Sequence, residues 1–265
     1  MPEQDAGFLE KLGAGTLRRL AAVLYALGYF FEILREIPGF FLRRRSGLRV
    51  LTMQMLFTGF EALPVIAVIA LGLGGIIVIQ GLSLLPQFGQ GQFIYTILVI
   101  VITRELGPIL AAFIVFARSG TAITTEIGNM VINREIEAFI ATGINPISYL
   151  VVPRFLGVTL SMMLLNVYFN VFGLLGSFFI AQLFQPLPFS QYAAGLFEAI
   201  SGADIASTML KSMMFGALIA TVSTFYGFRV ERSTTEIPQN AIRSISVGFT
   251  LLIVANGILT LVYYL

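Results

Sequence analysis

The sequence predicts an all-α integral membrane protein with five transmembrane helices. Hydrophobic residues make up 57% of the 265 positions and charged residues only 11%, whereas soluble domains are about a quarter charged. Apolar runs of about 20 residues, the length that crosses a bilayer, recur along the chain. Arginines concentrate in alternate loops, which is the asymmetry expected of a multi-pass membrane protein.

The composition excludes several classes of chemistry. The chain has no cysteine and no histidine, so it lacks thiolate and imidazole metal ligands, a cysteine nucleophile and a histidine base. Neither lysine, Lys11 or Lys211, follows a glycine, so a phosphate-binding Gly-Lys-Ser/Thr loop is absent. A net charge of +2 gives no reason to expect nucleic acid. We therefore expect no catalytic residue, metal or cofactor here, and ATP would be bound by another chain.

The first 50 residues are predicted to lie on the cytoplasmic side, without a cleaved signal peptide. Residues 20–34 are apolar but interrupted by Glu32, and fifteen residues reach about 22 Å, less than the ~30 Å hydrocarbon core. This favours an interfacial helix along the inner leaflet, with a tilted first span as the alternative. An arginine cluster before the first full span marks the cytoplasmic end, namely Arg43, Arg44, Arg45 and Arg49.

Five apolar segments then alternate across the membrane. They are predicted over residues 63–84 (or from an earlier start), 93–117, 155–183, 208–228 and 245–265. Each inner loop after the first span contains three arginines, and the predicted outer loops, 86–92 and 185–207, contain no lysine or arginine. The C-terminus is therefore expected on the outer side.

The second span carries Arg104 and Glu105 near its middle. Charge at that depth costs at least ~2.5 kcal/mol per residue, so such side chains face a cavity or a partner. Neighbouring residues point about 100° apart on a helix and do not pair, so each needs a partner from elsewhere. Pro108 cannot donate to the carbonyl of Arg104, and a break is predicted at Gly107-Pro108, as in transporter binding sites. The alternative is a structural ion pair that locks the bundle.

Other polar and small residues are assigned weaker roles. Gln80 lies near the outer end of the first span. Asn166 and Asn170 share one face of the third span and are predicted to form interhelical hydrogen bonds, with a polar pathway as the alternative. Close-packing positions are predicted at Gly173, Gly176 and Asn256-Gly257.

The segment after the second span contains a short amphipathic helix, predicted within residues 134–146. Ile136, Phe139 and Ile140 form one stripe, and Gly143 and Pro146 are expected to end the helix. Such a helix is either a surface connector or a site that a motor domain contacts.

Six motifs follow one another between residues 104 and 154. They are Arg104-Glu-Leu-Gly-Pro108, Ala117-Arg-Ser-Gly120, Glu126-Ile-Gly-Asn-Met130, Glu135-Ile-Glu-Ala138, Gly143-Ile-Asn-Pro146 and Val151-Val-Pro-Arg154. Together they resemble the MlaE/YrbE permeases, the membrane subunits of bacterial MCE-type lipid ABC transporters, and the resemblance covers most of the chain after Gly59.

The resemblance implies an architecture and partners. We expect a homodimer, with an N-terminal interfacial elbow helix in residues 1–50 and a five-helix permease domain in residues 51–265. A cytoplasmic ATPase, which carries ATP and Mg²⁺, would dock on a coupling helix at about 121–146. The positions assigned to that coupling are Glu126, Gly128, Met130, Glu135, Glu137, Ala138, Gly143 and Pro146. A hexameric MCE ring on the periplasmic side would exchange phospholipid with a pocket between the two copies.

The expected function is the movement of phospholipids between the inner and outer membranes, from the bacterial inner membrane. Substrate binding and translocation are assigned to Arg104, Glu105, Gln80 and Pro108, because a guanidinium matches phosphate geometry and the carboxylate would shape or gate the site. Two alternatives are an ion-coupled secondary transporter that uses the buried Arg-Glu pair, with Glu105 as its ion site, and a membrane scaffold that transports nothing. Residues 235–243 depart from the family by losing two glycines and gaining Pro238, so the contact made by that loop is not carried over.

Overall fold

A computed structural model describes residues 8–42, 47–84, 93–184, 188–231 and 233–265. All regular elements within these ranges are helical. In chain order they are α1 Phe8–Leu42, α2 Gly47–Gly59, α3 Leu63–Leu84, α4 Phe93–Leu98, α5 Gly107–Val115, α6 Thr121–Ile132, α7 Glu135–Ala141, α8 Val152–Phe184, α9 Phe189–Ala199, α10 Gly202–Gly227 and α11 Glu236–Tyr264.

Five helical stretches in these ranges are long and apolar enough to cross a membrane, which confirms the predicted number. They are Leu48–Leu84, Phe93–Ile132, Ile147–Phe184, Gly202–Gly227 and Glu236–Tyr264. Helix α1 is not among them, although it has 35 residues. The first full span therefore begins in α2. The predicted loop 86–92 and the arginines Arg43, Arg44 and Arg45 lie outside the described residues.

Several helices continue beyond the apolar segments predicted as spans. The helix that contains the second span runs to Ile132, past residue 117. The fifth begins at Glu236, so most of the stretch treated as a loop at 235–243 is helical. Pro238 is compatible with that helix because it is the third helical residue, where a backbone N–H has no intrahelical acceptor. The predicted outer loop 185–207 contains α9 and the first turn of α10.

The bundle has two ends, which we name after their short helices. At the α9 end, α3, α8 and α11 finish, and α4 and α10 begin. At the α7 end, the same spans reach α1, α7 and the connection between α10 and α11. Helix α8 is central and packs against α2, α3 and α10.

Glycines allow α3 and α8 to approach closely. A Cβ added to Gly176 would lie 2.8 Å from Leu71 Cδ2, and Gly74 faces the carbonyl of Gly173 without room for a side chain. The close-packing predictions for Gly173 and Gly176 are therefore confirmed. Within this chain Gly257 makes no such contact, because no atom lies within 4 Å of its added Cβ.

Helix α1 is attached to the side of the bundle near the α7 end. The Tyr29 hydroxyl donates to Thr224 Oγ1 of α10 at 3.0 Å. The Tyr29 ring lies 5.7 Å from that of Phe225, and the Phe30 ring 6.2 Å from that of Phe155 on α8. Burial raises the pKa of the Tyr29 hydroxyl above its ordinary value, so the phenol remains a donor.

Candidate functional site

The second span passes Gly107-Pro108 without the predicted break. Between Val99 and Leu106 the helix widens into π-helical turns, and the Gly107 N–H donates to the carbonyl of Ile102, five residues back. A second π-helical stretch, Phe116–Gly120, joins α5 to α6. Such widened turns accommodate a proline while keeping the helix continuous, and they are frequent at functional sites.

Side chains of α10 replace the hydrogen bonds that Pro108 cannot make. The carbonyls four and five residues before Pro108 belong to Arg104 and Thr103. Lys211 Nζ donates to the Arg104 carbonyl at 2.8 Å, and Thr208 Oγ1 donates to the Thr103 carbonyl at 2.8 Å. Because an unpaired buried carbonyl is costly, this repair explains how the distorted turn persists inside the bundle.

Arg104 is paired with an acidic residue of α10. Its Nε lies 2.5 Å from Asp204 Oδ1, and the two side chains are 17% and 0% exposed. Arg104 also contacts both tyrosines at the end of α11: its guanidinium lies 5.2 Å from the centre of the Tyr263 ring, and Nη1 lies 3.5 Å from the Tyr264 hydroxyl. The positive charge of Arg104 is therefore compensated by a carboxylate of the same chain.

Asp204 falls within the segment predicted as an outer loop, 185–207, and in the structure it is helical. It is the third residue of α10 and forms a reciprocal cap with Ser201: the Ser201 N–H and hydroxyl donate to Oδ2 at 2.8 and 2.9 Å. The Tyr263 hydroxyl donates to Oδ1 at 2.8 Å. A carboxylate in the first turn of a helix is also favoured by the helix dipole, which compensates for its burial.

Glu105 faces a different set of partners. Lys211 Nζ donates to Glu105 Oε1 at 3.0 Å, the Thr260 hydroxyl lies 3.0 Å from the same oxygen, and Asn256 Nδ2 donates to Oε2 at 3.2 Å. Lys211 also donates to Thr260 Oγ1 at 2.8 Å, so its ammonium makes three hydrogen bonds, the most it can make. As expected, Arg104 and Glu105 do not pair with each other.

The charge network, by which we mean Arg104, Glu105, Asp204, Lys211 and their partners on α11, lies towards the α9 end of the bundle. Arg104 lies about 16 Å from the start, at Phe93, of a helical stretch that is 40 residues long in total. It is level with the first turn of α10 and the last turn of α11. The predicted depth of the pair in the membrane stays a prediction.

Pro108 and Gln80, the other two residues assigned to substrate translocation, are not members of the charge network. Pro108 is buried beneath the network, whereas Gln80 is exposed on α3, towards the same end of the bundle. Of the two asparagines of α8, only Asn166 makes the predicted interhelical bond: Asn166 Nδ2 donates to Thr208 Oγ1 at 2.9 Å, whereas Asn170 Nδ2 donates to the Asn166 carbonyl at 2.8 Å. The interhelical hydrogen bond of Asn166 is thus confirmed, while that of Asn170 stays within α8.

The predicted coupling residues lie on two helices rather than one. Helix α6 is the direct continuation of the second span, and α7 follows a turn in which Arg134 has φ +58°. Helix α7 has no buried residue, and Ile140 is 61% exposed. The exposed members of the predicted set are Glu126, Glu135, Glu137, Ala138 and Gly143, whereas Met130 and Pro146 are half-buried.

Two of these residues also make contacts within the chain. Glu126 Oε1 lies 2.7 Å from Nη2 of Arg154, whose side chain is 5% exposed. Gly128 is buried, and a Cβ there would lie 3.0 Å from Val230 Cγ2 and 3.4 Å from Ile237 Cγ1. Gly128 therefore allows α6 to pack on the connection between α10 and α11 and offers no surface.

The end of α7 follows the prediction. Gly143 has φ +76°; its N–H donates to the Ile140 carbonyl at 3.0 Å, and the Ile144 N–H donates to the Phe139 carbonyl at 2.9 Å. These two bonds form the Schellman motif, for which glycine is preferred because it adopts positive φ without strain.

Sequence reasoning missed Lys211, Asp204, Thr260 and Tyr263. One signal was available for Lys211, since an isolated lysine within an apolar span marks a functional or paired site. Nothing in the sequence indicated which residue would pair with it, because Glu105 and Lys211 are 106 positions apart.

Comparison with known proteins gives a consistent assignment. The family model described as Permease MlaE matches residues 51–262. A probable ABC transporter permease protein of Rickettsia prowazekii is 26% identical over 82% of this chain and 84% of its own length. The intermembrane phospholipid transport system permease protein MlaE of Haemophilus influenzae is 23% identical over 83% of this chain and 85% of its own length. The chloroplastic protein trigalactosyldiacylglycerol 1 of Arabidopsis thaliana is 23% identical over 80% of this chain and 60% of its own length.

Proposed function

The chain belongs to the MlaE permease family, and we propose that it is the membrane-spanning subunit of an ATP-binding-cassette transporter that moves phospholipids between the inner and outer membranes. The observation that carries this proposal is the family match over residues 51–262, which contains all five spans apart from the first three residues of one and the last two of another. A relative over most of that length is named a phospholipid transport permease.

The chain supplies the path and a partner ATPase supplies the energy. The α7 end offers a docking surface for that ATPase, because α7 is exposed and is joined to the second span by a short turn and the continuous helix α6. A push on α7 would therefore reach the charge network through one long helix. On this proposal the exposed coupling residues touch the ATPase, and Gly128 acts by fixing α6.

The substrate region is proposed around Arg104, Glu105, Gln80 and Pro108. Arg104 already contacts Asp204, so a phosphate group would have to share or replace that carboxylate. Guanidinium forms bidentate contacts to phosphate, which makes the exchange chemically reasonable. The contacts of Glu105 weigh against the alternative of an ion-coupled transporter, because Lys211, Thr260 and Asn256 occupy its oxygens.

The remaining partners follow from the same assignment. We propose a homodimer, a periplasmic MCE-domain ring on the α9 end, a location in the bacterial inner membrane, a cytoplasmic N-terminus and a periplasmic C-terminus. The arginines at the α7 end support this orientation: Arg118, Arg134, Arg154, Arg229 and Arg243 are found there, whereas the α9 end has Arg104 and Lys211, both paired.

The test is co-purification in mild detergent, mass spectrometry of the bound chains and lipids, and transport between labelled donor and acceptor vesicles. We expect an ATPase chain, an MCE-domain chain and phospholipid, with transport that requires ATP. Arg104→Ala and Glu105→Ala, expressed at the normal level, are expected to reduce both bound phospholipid and transport. Transport by the chain alone, without nucleotide, would contradict the proposal and favour ion coupling.

A further inference from the structure

A cleft lies between α4 and α9, apart from the charge network. Its volume is about 540 Å³, and it is lined by Phe93, Tyr95, Thr96, Gly195, Glu198 and Ala199. None of these residues is used in the proposed function. The cleft is at the α9 end, where the second span begins at Phe93.

One wall of the cleft is an aromatic ring held in place. Tyr95 lies on the backbone of Gly195, where an added Cβ would be 2.5 Å from the ring carbon Cε2. Its ring meets Tyr192 edge to face at 5.8 Å. Tyr192 is fixed in turn, because its hydroxyl lies 2.5 Å from that of Ser177 and donates to the Leu174 carbonyl at 2.9 Å. Burial raises the pKa of Tyr192 to about 12, so this phenol stays neutral.

The cleft is also lined by a carboxylate, that of Glu198. Among the residues that the structure describes, Glu198 makes no ion pair or hydrogen bond. Residues 85–103 and 155–203 contain no lysine or arginine. Arg104 and Lys211, which lie towards the α9 end, are paired with Asp204 and Glu105. The cleft therefore joins an uncompensated negative charge to the rings of Phe93 and Tyr95.

We propose that this cleft binds the ammonium group of an amine-bearing phospholipid. A carboxylate and aromatic rings are the groups that attract an ammonium ion, the first by charge and the second through the negative face of the ring. A lipid is favoured over a soluble cation because the two helices that form the cleft carry exposed apolar side chains where the second span begins: Phe93 on α4 and Phe189 and Phe197 on α9 are 54%, 58% and 80% exposed. The inference rests on the proposed function, since it names a lipid class that such a permease would select.

The test measures lipid retention and requires neither ATPase nor transport. The full chain is placed in nanodiscs that contain equal amounts of phosphatidylethanolamine and phosphatidylglycerol with identical acyl chains. It is then washed in mild detergent, and the retained lipids are counted by mass spectrometry. We expect the wild type to retain phosphatidylethanolamine in about fivefold preference, the size expected of one exposed ion pair with a cation–π contact.

The variants separate the charge from the ring. Glu198→Gln and Tyr95→Leu should each remove most of the preference, and Gly195→Ala should weaken it because the new methyl displaces Tyr95. The matched control is Glu231→Gln, the same change at an exposed carboxylate near the α7 end, which should keep the preference. Equal retention of the two lipids by the wild type would overturn the inference, as would equal effects of Glu198→Gln and Glu231→Gln.

A basic segment of a partner protein is the competing occupant. If a lysine-rich peptide binds the wild type but not Glu198→Gln while no lipid preference is seen, the cleft is a protein site and the lipid inference fails. ATP-driven transport with no preference in the retention assay would leave the proposed function standing and remove only this inference.

Discussion

Lys211 connects three helices through a single ammonium group. It is almost fully buried and donates to the Arg104 carbonyl, to Glu105 and to Thr260, so it joins α10 to the second span and to α11. Removing one partner of a buried ion pair is more damaging than removing both, because the remaining charge stays desolvated. The contribution of the Lys211–Glu105 ion pair to stability can therefore be measured by comparing a variant that removes one charge with a variant that removes both.

Lys211→Met tests this role. We expect a loss of about 2 kcal/mol of stability, below the ~3–5 kcal/mol of a fully buried pair because the Glu105 side chain is 28% exposed. Thermal unfolding of the purified chain in detergent measures the loss. The double variant Lys211→Met with Glu105→Gln should recover part of it, and additive losses would show that the two groups are not coupled.

At the scale of the element, the second span is one helix whose register is changed twice by π-helical turns. Pro108 prevents ordinary α-helical bonding at Arg104, and side chains of α10 supply the missing donors. The distortion is therefore caused locally by Pro108 and stabilised by hydrogen bonds from α10. It sets the direction in which Arg104 and Glu105 point, which is why we treat Pro108 as part of the substrate region.

Pro108→Ala should separate stability from function. Alanine restores a backbone donor and removes a residue disfavoured in helix interiors by ~3 kcal/mol, so thermal stability should be unchanged or higher. Transport should fall, because the turn can close into an α-helix and rotate the pair. Measurement of unfolding and transport on the same preparation decides the matter, and lower stability with full transport would contradict the prediction.

Helix α7 depends on the positive φ of Gly143. Gly143→Ala should cost about 1 kcal/mol locally and fray the last turn, seen as faster hydrogen exchange in residues 138–144 and weaker ATPase binding. The control is Gly257→Ala within α11, where no atom lies within 4 Å of the new methyl and helix propensity favours alanine. Equal exchange in the two variants would show that the motif does not hold α7.

At the scale of the whole molecule, α11 is the span with the least contact to the rest of the chain. Only 11% of the residues in its most apolar stretch are buried, whereas 33% to 50% are buried in the corresponding stretches of the other spans. Apolar side chains on its free side face lipid or a second copy, including Ile253, Val254, Ile258, Leu261 and Val262. This surface supports the proposed homodimer.

The absence of cysteine makes that proposal simple to test. Ile258→Cys should form an intermolecular disulfide in native membranes if α11 lies at the seam. Leu164→Cys, which is 63% exposed on α8, serves as the control and should remain monomeric on a non-reducing gel. Crosslinking at Leu164 but not at Ile258 would move the interface to α8.

Local features of the sequence were enough for the class, the number of spans, the family and the end of α7. Each depends on composition, on a run of about 20 apolar residues or on a short motif, and such signals survive whatever the chain packs against. The continuity of the second span was not predictable in the same way. Pro108 by itself predicts a break in the helix. The helix stays continuous because side chains of another helix donate hydrogen bonds to the carbonyls that Pro108 leaves without a donor.

The sequence by itself determined that this is a five-span membrane protein of the MlaE permease family and that Arg104 and Glu105 each need a separate partner. The tertiary structure decided which partners these are, that they lie towards the α9 end, and that Glu198 has none within the described part of the chain. The physical reason is distance along the chain. Asp204 and Lys211 are about 100 residues from the pair they neutralise, so their contacts depend on how the helices pack and not on any local pattern.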